Sequence, residues 1–262
     1  MAARRLVPQL QTLLAAKLLR LLTNGSSSRL GVKVTLEMVA PQSRILVEQA
    51  TLRSPWPLPD QAANAPLPKA NLGKVSAPNT SMSELLTLPV GSHVQYRVQN
   101  YGDRPIYLLL FDINSLTGSI ALYSVARGNG LDLPEGQIRF NQPVVAPGTT
   151  LIFPQPSPDL AWVIRGPTGL RELQLICSHT PLTHTLTAAL LSQGEIQMHG
   201  TPLLHPLEIA QATCQDLHQA SLPLLPILEV ASNAKSNPSG TEEPYSLDVN
   251  AWASFNFVYQ VV

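Results

Sequence analysis

A chain of 262 residues has ample material for one large domain or two small ones. Its 17 Lys+Arg balance 17 Asp+Glu, so there is no basic excess to hold a nucleic-acid backbone by bulk electrostatics. Only 13% of residues are charged while 24 are proline, a ratio that points away from a helical enzyme and toward a β-rich body with long loops.

Residues 6–22 carry Leu6, Leu10, Leu13, Leu14, Leu18, Leu21 and Leu22 at helical spacing, and Asn24-Gly25 supplies a stop signal. The helix brings Arg4, Arg5, Lys17 and Arg20 and no acid, which favours an anionic surface; the commoner fate of such a helix is to dock on its own domain. Gln9, Gln11, Lys17 and Arg20 interrupt the apolar run, and no small-residue cleavage site follows. A span needs about 20 mainly apolar residues, so no transmembrane segment is expected. Two cysteines, Cys177 and Cys214, make no disulfide framework and read as buried thiols of a cytoplasmic protein.

Val32, Val34, Leu36 and Met38 alternate with polar residues and predict a strand, which Pro41-Gln42 turns into a second one over 44–52. Residues 54–84, rich in proline and alanine, read as a linker, with Trp56 as a residue that tucks back onto the fold. Val94, Tyr96 and Val98 predict the next strand. The turn 101–105 leads to an apolar run over 106–113, then a turn to 119–125. Further candidates are 150–153, 161–165 and 171–178. Helices are expected over 182–191 and over 207–221, the second with Pro206 at its first turn and Glu208 near its positive end. Residues 222–243 read as a loop, mobile in part. Phe255, Phe257, Tyr259 and Val261 predict a core strand that closes the domain.

Chemistry-bearing constellations are sparse. Cys177 and His179 flank Ser178 but alternate onto one sheet face with core leucines, whereas a catalytic thiolate needs partial exposure and an electropositive neighbour. Cys214 and His218 share a helix face at i, i+4, and His179, His184, His199 and His205 lie elsewhere; these spacings match no established zinc pattern. Gly166-Pro167-Thr168-Gly169 is a turn whose proline removes an anion-binding donor, and Glu242-Glu243 falls in a loop. Asp103, Asp112 and Asp132 sit near turns, where capping is the default role. No cofactor or metal site is expected, and no catalytic residue is assigned.

The segments PQLQTLLAAKLLRLL (8–22), LGVKVTLEMVAP (30–41), HVQYRVQNYGDRPIYLLLFDINSLTGSIALYSV (93–125), GPTGLRELQLICS (166–178), LEIAQATCQDLHQAS (207–221) and SLDVNAWASFNFVYQVV (246–262) together carry a family resemblance. The chain resembles the non-catalytic C-terminal region of cyanobacterial caspase-like (metacaspase- or orthocaspase-type) peptidases, a domain of unknown function that follows the peptidase domain. That family's catalytic half carries a His-Gly strand end and an Asp-x-Cys-x-Ser-Gly setting. Here His199-Gly200 falls in a loop between helices and no Asp-x-Cys occurs, so peptidase activity is not implied.

The expected architecture is mainly β (α+β): an antiparallel β-sandwich-type domain with an N-terminal amphipathic helix and two helices inserted late in the chain. Its parts are a basic helix (1–25), a hairpin (26–53), a linker (54–84) and the sandwich (85–262). The resemblance implies an accessory, regulatory or interaction domain whose partner is a caspase-like peptidase domain, in cis or in trans. The face formed by Leu6, Leu10, Leu13, Leu14, Leu18 and Leu21 is the candidate docking surface, with weak membrane-surface contact as a further role for this helix. At about 1.5–3 kcal/mol per fully covered leucine, such a face is not expected to stay exposed. The competing readings are a stand-alone ligand-binding sandwich, with its pocket near Tyr123, Trp162 and Trp252, and a hydrolase using Cys177 or Cys214 as nucleophile.

Overall fold

The computed structural model describes residues 2–52, 85–114, 119–123, 142–153, 162–191, 201–222 and 247–262. The proline-rich stretch 54–84, residues 223–243, His199-Gly200 and Asp132 lie outside those residues. The chain opens with α1 (Ala2–Leu21), then the strands β1 (Val32–Ala40), β2 (Arg44–Ala50), β3 (Leu86–Leu88), β4 (His93–Asn100), β5 (Ile106–Asn114) and β6 (Ser119–Tyr123). It continues through β7 (Val144–Val145), β8 (Thr150–Phe153), β9 (Trp162–Val163) and β10 (Gly169–Ser178), then α2 (Thr183–Leu191), β11 (Thr201–Pro202), α3 (Pro206–Ser221) and β12 (Trp252–Val261).

Among the described residues the strands form two sheets. The first runs β2-β1-β4-β8, with β9 also paired to β4; the second runs β11-β6-β5-β10-β12-β3, with β7 also paired to β5. All pairings are antiparallel except β12 with β3, which is parallel. The fold is thus α+β and sandwich-like, with a helical layer over the second sheet. The hairpin β1–β2 is built into the first sheet, because β1 pairs along its length with β4 from Val32–Asn100 to Ala40–His93.

Strand patterns follow from what covers each face. β4 alternates buried with half-buried residues, since one face lies in the core and the other, polar face is outward. On that outer face Arg97 Nε donates to Glu37 Oε1 at 2.7 Å and Gln95 Nε2 to Oε2 at 2.6 Å. β5 is an apolar run because it is covered twice. Ile106, Leu108 and Leu110 join the core between the sheets, while Leu109, Phe111 and Ile113 join the core under the helices. The inter-sheet core brings Val34, Leu36, Tyr96 and Val98 against Leu173, Leu175, Phe255 and Phe257. Tyr96 meets Phe257 edge-on with ring centroids 5.3 Å apart.

Three features depart from the sequence expectation. β4 and β5 are joined by the short turn at 101–105 yet belong to different sheets, so that turn crosses the sandwich instead of closing a hairpin. Strand β9 covers Trp162–Val163 within the expected 161–165, and α1 begins at Ala2, earlier than the leucine periodicity indicates.

Candidate functional site: the two faces of the N-terminal helix

At about 100° per residue, α1 presents two sets of side chains on opposite sides. Ala15, Ala16 and Leu19, with Leu22 just beyond the helix, are buried in the core under the helical layer together with Ile209, Ala210 and Leu217 of α3. Two alanines let α1 approach α3 closely. Leu6, Leu10, Leu13, Leu14 and Leu21 point the other way and are 53%, 61%, 62%, 46% and 71% exposed. Of the expected docking face, Leu18 is the exception: it is half-buried against the helical-layer core, because its position on the helix falls at the edge of the docked side. Every residue from Leu6 to Gln11 is exposed, so this stretch of α1 runs past the described body of the domain.

The docked half is fastened by polar contacts. Arg20 Nη2 lies 2.6 Å from Glu172 Oε2, and Asn256 Nδ2 donates to the other carboxylate oxygen at 2.8 Å. Buried Gln174 donates through Nε2 to the Leu19 carbonyl and, at 2.9 Å, to Ser254 Oγ. Past the helix end, Asn24 stands in for a neighbouring strand. Ser254 N–H donates to Asn24 Oδ1 at 2.7 Å, and the Asn24 and Gly25 N–H groups donate to the Ser254 carbonyl at 3.2 and 2.9 Å. This satisfies Ser254, which lies on the stretch of the β12 edge that β3 does not reach. A Cβ on Gly25 would sit 2.7 Å from Phe255 Cδ1, so only glycine lets the chain pass there. Sequence reading saw Asn24-Gly25 as a helix stop and missed this second task, which depends on a strand some 230 residues away.

The two cysteines lie in different cores. Cys177 is fully buried in the inter-sheet core, and burial pushes its thiol well above the usual range. Cys214 is half-buried, not enclosed as expected, because α3 turns it to the rim of the helical layer; burial raises its thiol too. His179 lies past the end of β10, with Nδ1 3.4 Å from the Pro105 carbonyl. A carboxylate that sequence reading overlooked, Asp216, is buried and receives the His184 and Thr185 N–H groups at 3.0 and 2.8 Å and Thr185 Oγ1 at 2.7 Å. His184 Nδ1 lies 2.8 Å from the same group. All these contacts gather at the start of α2, so Asp216 of α3 acts as that helix's N-terminal cap. Among the described residues no group of three or more His, Cys, Asp or Glu is placed to hold a metal.

Trp252 is buried under the helices, away from the inter-sheet core. The side chains of Trp162 and Tyr123 lie outside the described residues. Between the sheets, Tyr96, Val98, Leu108, Leu110, Pro143, Phe153 and Leu175 line a cavity of about 10 Å³, room for a single water. No described helix is long and apolar enough to cross a membrane.

Against known proteins, no curated protein and no solved structure matches this chain. Residues 87–181 match the family model of a domain of unknown function (DUF4384). The match therefore takes in β4 to β10, the heart of the sandwich, while α1, the β1–β2 hairpin, α3 and β12 lie outside it.

Proposed function

We propose that this chain is a non-catalytic accessory domain of the cytoplasm that serves a caspase-like cysteine peptidase, in cis or in trans, and that α1 is its attachment element. The observation that carries this reading is the row of leucines Leu6, Leu10, Leu13, Leu14 and Leu21, exposed on the side of α1 opposite the docked one. An apolar row of that size on a folded domain marks an interaction surface. The partner class rests on the resemblance of the segments quoted above. Against the competing thiol-hydrolase reading stand the raised thiols of Cys177 and Cys214, which leave little thiolate at neutral pH.

The test mixes the full chain with a purified caspase-like peptidase domain and follows both binding by calorimetry and peptide turnover. A complex, or a change in turnover, is expected. Absence of both sinks the partner assignment. Thiol-dependent turnover by the chain alone, abolished in Cys177→Ala or Cys214→Ala, would overturn the non-catalytic reading.

A further inference from the structure

We infer that the exposed leucine row of α1 seats on an anionic lipid surface, with the helix lying in the headgroup plane. This rests on the reading of the leucine row as an interaction surface, and takes lipid rather than the peptidase domain as what covers that row. In the overhanging half, Leu6, Val7, Leu10, Leu13 and Leu14 gather on one side, while Pro8, Gln9, Gln11 and Thr12 occupy the other. That segregation is what a helix needs to lie at an apolar–polar boundary. The row points directly away from the docked face, so the described body of the domain does not stand between it and a flat surface.

Charge selects among occupants. The chain as a whole is neutral, yet α1 contains Arg4, Arg5, Lys17 and Arg20 and neither Asp nor Glu. Arg20 is engaged by Glu172, whereas Lys17 is exposed within the leucine row, one turn from Leu13 and Leu21. Its long stem can lie along the leucines while its ammonium reaches the headgroups. A second copy is a poor occupant, because pairing two such helices brings cations together with no acid on either. The six apolar residues, Val7 included, offer on the order of 500–600 Å² of exposed surface, short of the roughly 800 Å² per partner of a standard interface. A lipid surface sets no such minimum, since apolar insertion and attraction of cations add.

The experiment is co-sedimentation of the full chain with vesicles of phosphatidylcholine alone or with about one third phosphatidylserine, at about 0.1 M and about 0.5 M salt. The chain is expected to partition onto the anionic vesicles and to leave them as salt rises. Lys17→Glu should weaken partition by about fivefold or more. The pair Leu10→Glu with Leu13→Glu should abolish it, with circular dichroism and urea midpoint unchanged because these positions are exposed. No partition onto anionic vesicles, or partition indifferent to Leu10→Glu with Leu13→Glu, overturns the inference. If vesicles fail while the same double variant abolishes a complex with a caspase-like peptidase domain, the lipid surface is wrong and the attachment role of α1 stands. A dimer by light scattering that the double variant dissolves overturns the lipid surface in favour of a second copy.

Discussion

Truncating two leucines of the same helix should have very unequal consequences. Leu19→Ala removes three carbons from a side chain that is 1% exposed, while Leu13→Ala removes the same atoms from one that is 62% exposed. At about 0.8 kcal/mol per buried carbon, the Leu19 change forfeits about 2.4 kcal/mol before any cavity is counted. The neighbouring Ala15, Ala16 and Ala210 are too small to fill the gap, so a cavity remains and the total should reach about 3 kcal/mol. Leu13→Ala should stay within about 0.5 kcal/mol of the parent. Urea unfolding followed by tryptophan fluorescence reads both, since Trp252 is buried in the same core as Leu19. The melting temperature of Leu19→Ala should fall by about 6–12 °C at the 2–4 °C per kcal/mol expected for a chain of this size. Equal losses at the two positions would refute the assignment of the docked and free faces.

Gly25→Ala should destabilise by about 1–3 kcal/mol, because Phe255 is fully buried and cannot retreat from the added methyl group; an unchanged urea midpoint would contradict the close passage of the chain over β12. Asp216→Ala leaves the His184 and Thr185 N–H groups at the start of α2 without their acceptor and should cost roughly 2–3 kcal/mol, whereas Asp216→Asn, which keeps one acceptor oxygen, should cost less; calorimetric melting distinguishes them. Glu37 is held below its ordinary value of 4.5, first by its hydrogen bond from Arg97. Its contribution to stability is therefore complete above about pH 4.5 and lost as pH falls through the lower folded value. The stability gap between the parent and Glu37→Gln should accordingly narrow below that pH in urea titrations run from neutral to acid; a constant gap would show that the carboxylate is not depressed.

The parts of the fold that were legible in the sequence are those set by local periodicity. β4 and the second half of β12 alternate because one face of each is turned to the core, and α3 is announced by Pro206 and its apolar spacing. What sequence reading missed depends on partners far along the chain. The leucines of α1 outnumber its alanines and draw the eye to the open face, whereas the domain itself takes the side with Ala15, Ala16 and Leu19, where close approach to α3 is possible. The crossing between β4 and β5 was hidden because the turn at 101–105 has the length of a hairpin loop, and sheet membership is decided by the double burial of β5. Asp216 sits unremarked inside α3; only the packing of α2 against it reveals a cap supplied from another helix. Asn24 could be read as a helix stop but not as a surrogate strand for Ser254.

The most direct test of the central claim, that α1 is held by one face and open on the other, is the reactivity of single cysteines placed on its two sides. Leu13→Cys and Ala16→Cys are made separately in a Cys214→Ser background, with Cys177 left in the sandwich core where reagent does not reach. Position 13 is expected to react within about tenfold of an unstructured thiol, and position 16 at least about a hundredfold more slowly, limited by opening of the helix from the domain. Equal rates at the two positions, or a protected cysteine at position 13, would contradict the account.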